Sequence, residues 1–211
     1  MADLQKLYDA ILSGDAKTSV AVTAQALAEN IMPLEIITNY LIPAMDEVGK
    51  RFECEEYFVP ELLLAARAMK GSMQMLRPLL AASGTEPAGR VAIGTVKGDL
   101  HDIGKNLVAS LLEGGGFEVI DLGADVSAAK FIETVNTRNV NIVCLSALLT
   151  VTMPSMKTTI QAFKDAGIRD NIKVLVGGAP LTQQFADEIG ADGYSENASG
   201  AVALARRMVK A

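Results

Sequence analysis

The sequence predicts an α/β chain in two parts: a bundle of four or five helices over residues 1–88, then a doubly wound, five-stranded parallel sheet over residues 89–211. Three observations predict it. Residues 1–88 carry apolar side chains at helical spacing, whereas residues 89–211 alternate Val- and Ile-rich runs with helical stretches. Between them Ala82-Ser83-Gly84-Thr85-Glu86-Pro87-Ala88-Gly89 is small, polar and turn-rich, as a linker is. Charge divides at the same place, with a balance of −5 for residues 1–88 and −1 for residues 89–211.

Taken in order, Leu4, Leu7, Tyr8, Ile11 and Leu12 lie on one face of a first helix. Val20 to Leu27 continues as an Ala-rich second one. Pro33 and Pro43 each suit a first helical turn, where a missing N–H costs nothing. A further helix is expected from Pro60 to Ala82, bent or ended near Pro78. In the second part, RVAIGTV (90–96), FEVIDL (117–122), NIVCLSA (141–147) and IKVLVGG (172–178) read as buried strands, with a short fifth near Gly193. Helical stretches fall near 102–114, 127–138, 153–167, 180–190 and 198–210. Repeated strand–helix units impose a parallel sheet with helices on both faces. The strand count suits a flavodoxin-like (Rossmann-like) order with its switch point between the first and third strands. Ligands of such sheets bind beyond the carboxyl ends of the strands, so the loops after Val96, Ala147 and Gly178 are the candidate site.

Composition excludes several classes. The chain has 211 residues, 50% hydrophobic and 21% charged, with a net charge of −6, which is globular. No run of about 18 residues lacks a charge or turn former, so no membrane span is expected. Residues 1–20 lack the basic start and apolar block of a signal peptide. Cys54 and Cys144 share no C-x-x-C spacing and read as free thiols of a cytoplasmic protein. An acidic chain without basic clusters is a poor nucleic-acid binder. His101 is the one histidine, which excludes H-E-x-x-H zinc sites and routes any Ser-His-Asp chemistry through that residue.

The loop after the first strand reads Lys97-Gly98-Asp99-Leu100-His101-Asp102-Ile103-Gly104-Lys105-Asn106. Its glycine spacing fits neither G-x-x-x-x-G-K-[ST] nor G-x-G-x-x-G, so phosphate and dinucleotide loops fail. Asp99 stands two residues before His101. An imidazole that binds a metal through one nitrogen needs its other N–H held, and Asp99 is near enough to do so. The alternative is that His101 caps the next helix while Asp99 fills an Asx turn. Ser146, Leu148, Thr150 and Thr152 alternate, and in an extended chain they share one face; alternatively the hydroxyls satisfy local backbone groups. Gly177-Gly178 lets a bulky group approach the backbone, or serves a plain turn. Tyr194 precedes Ser195 and Asn197, both reasonable helix caps.

With D-x-H-x-x-G at 99–104, S-x-L-x-T at 146–150 and G-G at 177–178, the sequence resembles the cobalamin-binding corrinoid proteins of methylamine and methanol methyltransferase systems. It is also similar to the matching module of cobalamin-dependent methionine synthase. Gly49-Lys50-Arg51-Phe52 and Tyr57-Phe58-Val59-Pro60-Glu61-Leu62 resemble that family's helical cap, so the likeness spans nearly the whole chain.

The resemblance implies a helical cap at 1–88 and a cobalamin-binding domain at 89–211. It implies that the cofactor's own benzimidazole leaves the cobalt, its tail entering the sheet domain, and that His101 takes the lower axial position. Asp99 would be the hydrogen-bonded partner of His101, and Thr152 would stand where methionine synthase has a Ser completing the relay. Asp102, Ile103 and Gly104 would lie against the cofactor, and Ser146, Leu148, Thr150, Gly177, Gly178, Tyr194 and Asn197 would line the tail pocket. Phe58, with Leu62 one helical turn later, would cover the upper face.

The implied function is a methyl carrier cycling between Co(I) and methyl-Co(III), not a stand-alone enzyme. A substrate-specific methyltransferase would load it, a second would pass the methyl to a thiol or folate, and a reductive activator would rescue it. Alternative readings are a cobalamin-dependent sensor, a mutase's cobalamin subunit, and a flavodoxin-like fold without a corrinoid. No nucleic-acid or membrane partner is expected.

Overall fold

The computed structural model describes residues 2–83 and 87–210. Of the segment read as a linker, residues 84–86 lie outside the described residues. The chain divides into two compact units, one running to Pro87 together with Glu113–Gly116, the other comprising Ala88–Leu112 and the chain from Phe117 onward.

The first unit is helical: α1 (Leu4–Leu12), α2 (Ala16–Ala28), α3 (Pro33–Ile36), α4 (Ile42–Glu53) and α5 (Val59–Ala82). Asp3 caps α1 by accepting the Lys6 N–H at 3.1 Å, and Asp15 caps α2 from Thr18 at 3.0 Å. Pro33 opens α3 and Pro43 lies in the first turn of α4, but no break separates those helices. A π-helical turn, Ile37–Leu41, joins them, and the Ile42 N–H reaches back to the Ile37 carbonyl. The wider turn accommodates a proline ring that would collide with the carbonyl of an ordinary α-helix. Pro78 likewise sits inside α5, which continues to Ala82. Leu7, Ile11, Ile36, Leu41, Val48, Leu62 and Leu76 are fully buried in this unit. Gly71 lets α2 and α5 approach closely, because a Cβ there would meet Val20 at 2.8 Å. Across the same contact Ser19, Thr23 and Ser72 satisfy one another's hydroxyls.

The second unit holds β1 (Arg90–Thr95), β2 (Glu118–Asp121), β3 (Ile142–Ser146), β4 (Lys173–Gly177) and β5 (Gly193–Tyr194). All pair in parallel in the order β2-β1-β3-β4-β5, the flavodoxin-like arrangement expected from the sequence. The crossovers are α6 (Ile103–Gly114), α7 (Ala128–Arg138), α8 (Pro154–Asp165) and α9 (Gln183–Ile189), with α10 (Ala198–Lys210) closing the chain. Ala92, Val143, Leu145, Val174 and Val176 bury against Phe131, Met156, Ile160 and Phe163 of α7 and α8, and Ala186 and Ile189 of α9 join them. On the other face α10 packs so tightly that a Cβ at Gly193 would meet Leu204 at 2.7 Å. With both faces covered, β1 and β3 are almost continuously buried, which is why they read as unbroken apolar runs.

Register brings Thr95, Ser146 and Gly177 side by side at the carboxyl edge. The switch point lies between β1 and β3, so the loop after β1 opens beside the loop after β3.

Candidate functional site

Beyond β1 the chain turns at Gly98, whose φ of +89° favours glycine and whose N–H donates to Asp125 Oδ1 at 2.8 Å. Next comes Asp99, completely buried. Its Oδ1 accepts the His101 backbone N–H at 3.0 Å and lies 2.7 Å from His101 Nδ1. Its Oδ2 accepts from Leu148 N–H at 2.8 Å, Leu149 N–H at 3.3 Å and the Thr152 hydroxyl at 2.7 Å.

Burial alone would raise the Asp99 pKa. The His101 backbone N–H, the Thr152 hydroxyl, the Leu148 N–H and the His101 ring outweigh it and hold the carboxyl well below the usual carboxylate range. An ionised carboxylate only accepts, so Nδ1 of the His101 ring is the donor and, in the neutral imidazole, Nε2 keeps its lone pair. The ring is half-exposed, and Nε2 has no hydrogen-bond partner among the described residues. The His101 carbonyl is held separately, by the Thr95 hydroxyl at 2.9 Å. The Thr152 hydroxyl has one proton and two acceptors, because the Leu149 carbonyl lies 2.8 Å away.

No cluster of three His, Cys, Asp or Glu side chains able to hold a metal ion occurs among the described residues. A metal at this edge would have to bring most of its own ligands, and the unpartnered His101 Nε2 is a nitrogen the chain could offer it. The surroundings suit a broad, partly apolar group: Leu100, Ile103 at the start of α6, and Val151 in the turn after β3 are exposed. Gly104 has nothing within 4 Å of where a Cβ would stand, and at Gly177 that Cβ would meet only the Ser195 carbonyl, at 3.5 Å. Neither has a steric need within the chain to be glycine, so both leave room for a ligand. These features fit a corrinoid with one protein-derived axial ligand.

Gly178 differs. At φ +139° a Cβ would lie 1.9 Å from the Ala147 carbonyl oxygen, so the backbone itself requires glycine there. Asp102 stands just before α6, and its carboxylate accepts from Asn106 at 3.1 Å. Asn197 caps α10, accepting the Gly200 N–H at 2.7 Å, while Ser195 donates to the Asn197 carbonyl at 2.7 Å. Tyr194 sits half-buried in β5.

Two sequence readings need correction. Alternation does not carry Ser146, Leu148, Thr150 and Thr152 along one face: β3 ends at Ser146 and the chain turns through 149–153. The Leu148 and Leu149 N–H groups are drawn to Asp99, leaving Thr150 exposed and Thr152 buried. Leu62 does not share the exposure of Phe58. Phe58 is 63% exposed and Leu62 is fully buried in the bundle, while Val59, Leu63 and Leu64 are the exposed apolar neighbours. The Phe58 carbonyl accepts the Leu62 N–H at 3.2 Å, so the two stand one turn apart, yet Leu62 is turned into the bundle core.

Reading the sequence missed the Leu148 and Leu149 amides, Thr95, and Asp125, which binds both the Gly98 N–H and, at 2.9 Å, Lys97. Backbone donors leave no trace in residue identity. The turn-forming G-A-D at 123–125 was the one available signal for Asp125.

Family models described as B12 binding domain match residues 89–203 and residues 3–77. The dimethylamine corrinoid protein of Methanosarcina barkeri is 45% identical over 208 residues, covering 98% of this chain and 97% of that protein. The trimethylamine corrinoid protein of the same organism is 43% identical over 202 residues, covering 95% and 93%. Among solved structures, a cobalamin-binding protein from Desulfitobacterium hafniense DCB-2 is similar at 34% identity and a TM-score of 0.80, covering 99% of each chain. A chain of the methanol:cobalamin methyltransferase complex of Methanosarcina barkeri is similar at 27% identity and a TM-score of 0.87, covering 98% of this chain and 79% of that one.

Proposed function

This chain belongs to the B12-binding corrinoid protein family, and on that premise we propose that it is a methyl-carrier subunit whose cobalamin is held through His101. The observation that carries the proposal is the buried Asp99 carboxylate 2.7 Å from His101 Nδ1, with Nε2 left without a partner among the described residues at the sheet edge. When bound, a cobalamin supplies a cobalt that accepts a methyl group in its reduced, nucleophilic state and yields it to an acceptor.

The chain's own part is to orient and to exclude. Asp99 holds the ring so that one nitrogen faces outward, and Leu148, Leu149 and Thr152 hold Asp99. Thr152 can turn its hydroxyl proton to either acceptor, so it accommodates a change in hydrogen bonding at Asp99 without leaving an orphaned group. Gly104 and Gly177 would leave room for the cofactor, and Asp102, Ile103, Ser146, Leu148, Thr150, Gly178, Tyr194 and Asn197 would line its site. Residues 89–211 would serve as the cobalamin domain and residues 1–88 as its cap, and the exposed Phe58 is the side chain we assign to shielding a bound cofactor from water.

The relatives' description as corrinoid proteins favours a carrier subunit. A substrate-specific methyltransferase loads it, a second methyltransferase unloads it to a thiol or folate, and a reductive activator restores oxidised cobalt. The names of the relatives favour a methylated amine as the ultimate donor. Two free thiols suit a cytoplasmic setting. Among the described residues no helix is long and apolar enough to cross a membrane.

The test is single-turnover labelling. Reduced, cobalamin-loaded protein is given iodomethane carrying an isotopic label and then desalted. Label that stays with the protein in proportion to cobalt, and leaves only when a methyltransferase and its acceptor are added, supports a carrier. Label that never attaches, or that passes to acceptor with no other protein present, refutes it.

A further inference from the structure

Lys105 is a buried charged side chain, and the site described above makes no use of it. Its ammonium donates to Asn106 Oδ1 at 2.7 Å and to both carboxylate oxygens of Asp121, the last residue of β2. Two costs attach to this placement. Burying an ammonium is expensive unless it is paired, and a cation in the first turn of α6 opposes the helix dipole. A leucine or methionine would fill the same volume without either cost.

The hydrogen bonds show what the charge pair holds. Asp121 Oδ1 also accepts the Gly123 N–H at 2.9 Å. The Gly123 carbonyl in turn accepts the Thr95 N–H at 3.0 Å, and the Thr95 hydroxyl donates to the His101 carbonyl at 2.9 Å. Along the chain, Lys105 lies just after the loop that carries His101. The loop is thus gripped at its far end by Lys105 itself and, through Asp121, Gly123 and Thr95, at the backbone of His101.

We propose that Lys105 is a positioning residue for His101: its ion pair with Asp121 fixes the 95–103 backbone so that Nε2 is presented at one place for an axial bond. The inference rests on the reading of His101 as the lower cobalt ligand.

Electron paramagnetic resonance of the cobalamin-loaded protein, reduced to Co(II), separates the two claims. A histidine nitrogen on cobalt splits each line into a triplet, and because the chain has one histidine, growth on heavy-nitrogen histidine converts triplets to doublets for His101 alone. Wild type is expected to show label-sensitive splitting; its absence overturns the ligand assignment itself. Lys105→Met and Asp121→Asn are expected to keep the far-ultraviolet circular dichroism of wild type. Both should shift the balance from His-bound to His-free cobalt roughly tenfold, the low end of what losing an outer-shell partner costs a metal ligand. Lys105→Arg, which keeps the charge, is expected to retain the wild-type splitting. Wild-type splitting in a folded Lys105→Met or Asp121→Asn protein overturns the positioning role, as does Lys105→Arg behaving like Lys105→Met. If Lys105→Met does not fold, Asp121→Asn decides the question, because the Asp121 side chain is 42% exposed and tolerates the change.

Discussion

Replacing Asp99 with Asn tests how the site is wired, because the substitution is nearly isosteric while every neighbour of the carboxylate is a donor. The two oxygens meet the His101 N–H and ring nitrogen on one side, and Leu148, Leu149 and Thr152 on the other. An amide turned with its NH2 toward Leu148 and Leu149 orphans two backbone N–H groups; Thr152 alone can adjust, by donating to the Leu149 carbonyl. Turned the other way, it orphans the His101 N–H and donates to Nδ1. That forces the proton onto Nε2 and removes the lone pair offered to a metal. The second arrangement leaves fewer orphans and should prevail. One unsatisfied donor, plus loss of the charge assistance, amounts to about 2–3 kcal/mol. At about 2–4 °C per kcal/mol for a chain of this size, Tm should fall by roughly 5–10 °C.

The assays are thermal unfolding of the cofactor-free protein and titration with hydroxocobalamin. Asp99→Asn should be both less stable and weaker in cobalamin affinity by roughly 10–100-fold. The pH dependence has a definite sign. Asp99 is held below its unfolded value, so its contribution is complete above about pH 4 and is lost as the pH falls through the folded value. The Asn variant should lack that acid-side slope. Equal stability and equal affinity in Asp99→Asn and wild type would refute the wiring.

Other substitutions probe separate parts. Gly178→Ala must relieve a 1.9 Å approach to the Ala147 carbonyl; strain of this kind costs more than about 1–3 kcal/mol, and denaturant unfolding should show it, whereas Gly177→Ala should leave stability nearly unchanged and weaken cobalamin binding. Thr152→Val, which loses the hydroxyl, should destabilise by about 1.5–3 kcal/mol, the range for hydrogen bonds to charged groups, while Thr152→Ser should lie near wild type in the same unfolding curve. Cys54 is exposed and Cys144 buried with its thiol pushed up to about 12; a thiol reagent near neutral pH should modify Cys54 at once and Cys144 only on unfolding. Phe58→Ala should speed oxidative loss of reduced cobalamin, followed by absorbance under limited oxygen, and an unchanged lifetime counts against shielding.

The sheet was legible because its strands are buried on both faces and therefore spelt in Val and Ile, and because each break between them carries glycine or turn formers. Its carboxyl edge, and hence the place of the candidate site, followed from topology. The parts that escaped depend on groups the sequence does not spell. The alternation of Ser146, Leu148, Thr150 and Thr152 was a real pattern, but the anionic Asp99 competes for the Leu148 and Leu149 amides and curls the chain. Leu62 was paired with Phe58 by helical spacing, but packing buries Leu62 in the bundle and leaves Phe58 exposed. Lys105 stood in view beside a phosphate-loop motif that failed on spacing, and burial of its ammonium is a tertiary fact.

Recording the visible spectrum of the desalted protein after loading with hydroxocobalamin, beside His101→Ala, tests the central claim most directly. The account predicts that wild type retains the corrinoid with a spectrum that the variant alters, the signature of an imidazole below the cobalt. Identical spectra, or a wild type that loses its cofactor on desalting, would contradict it.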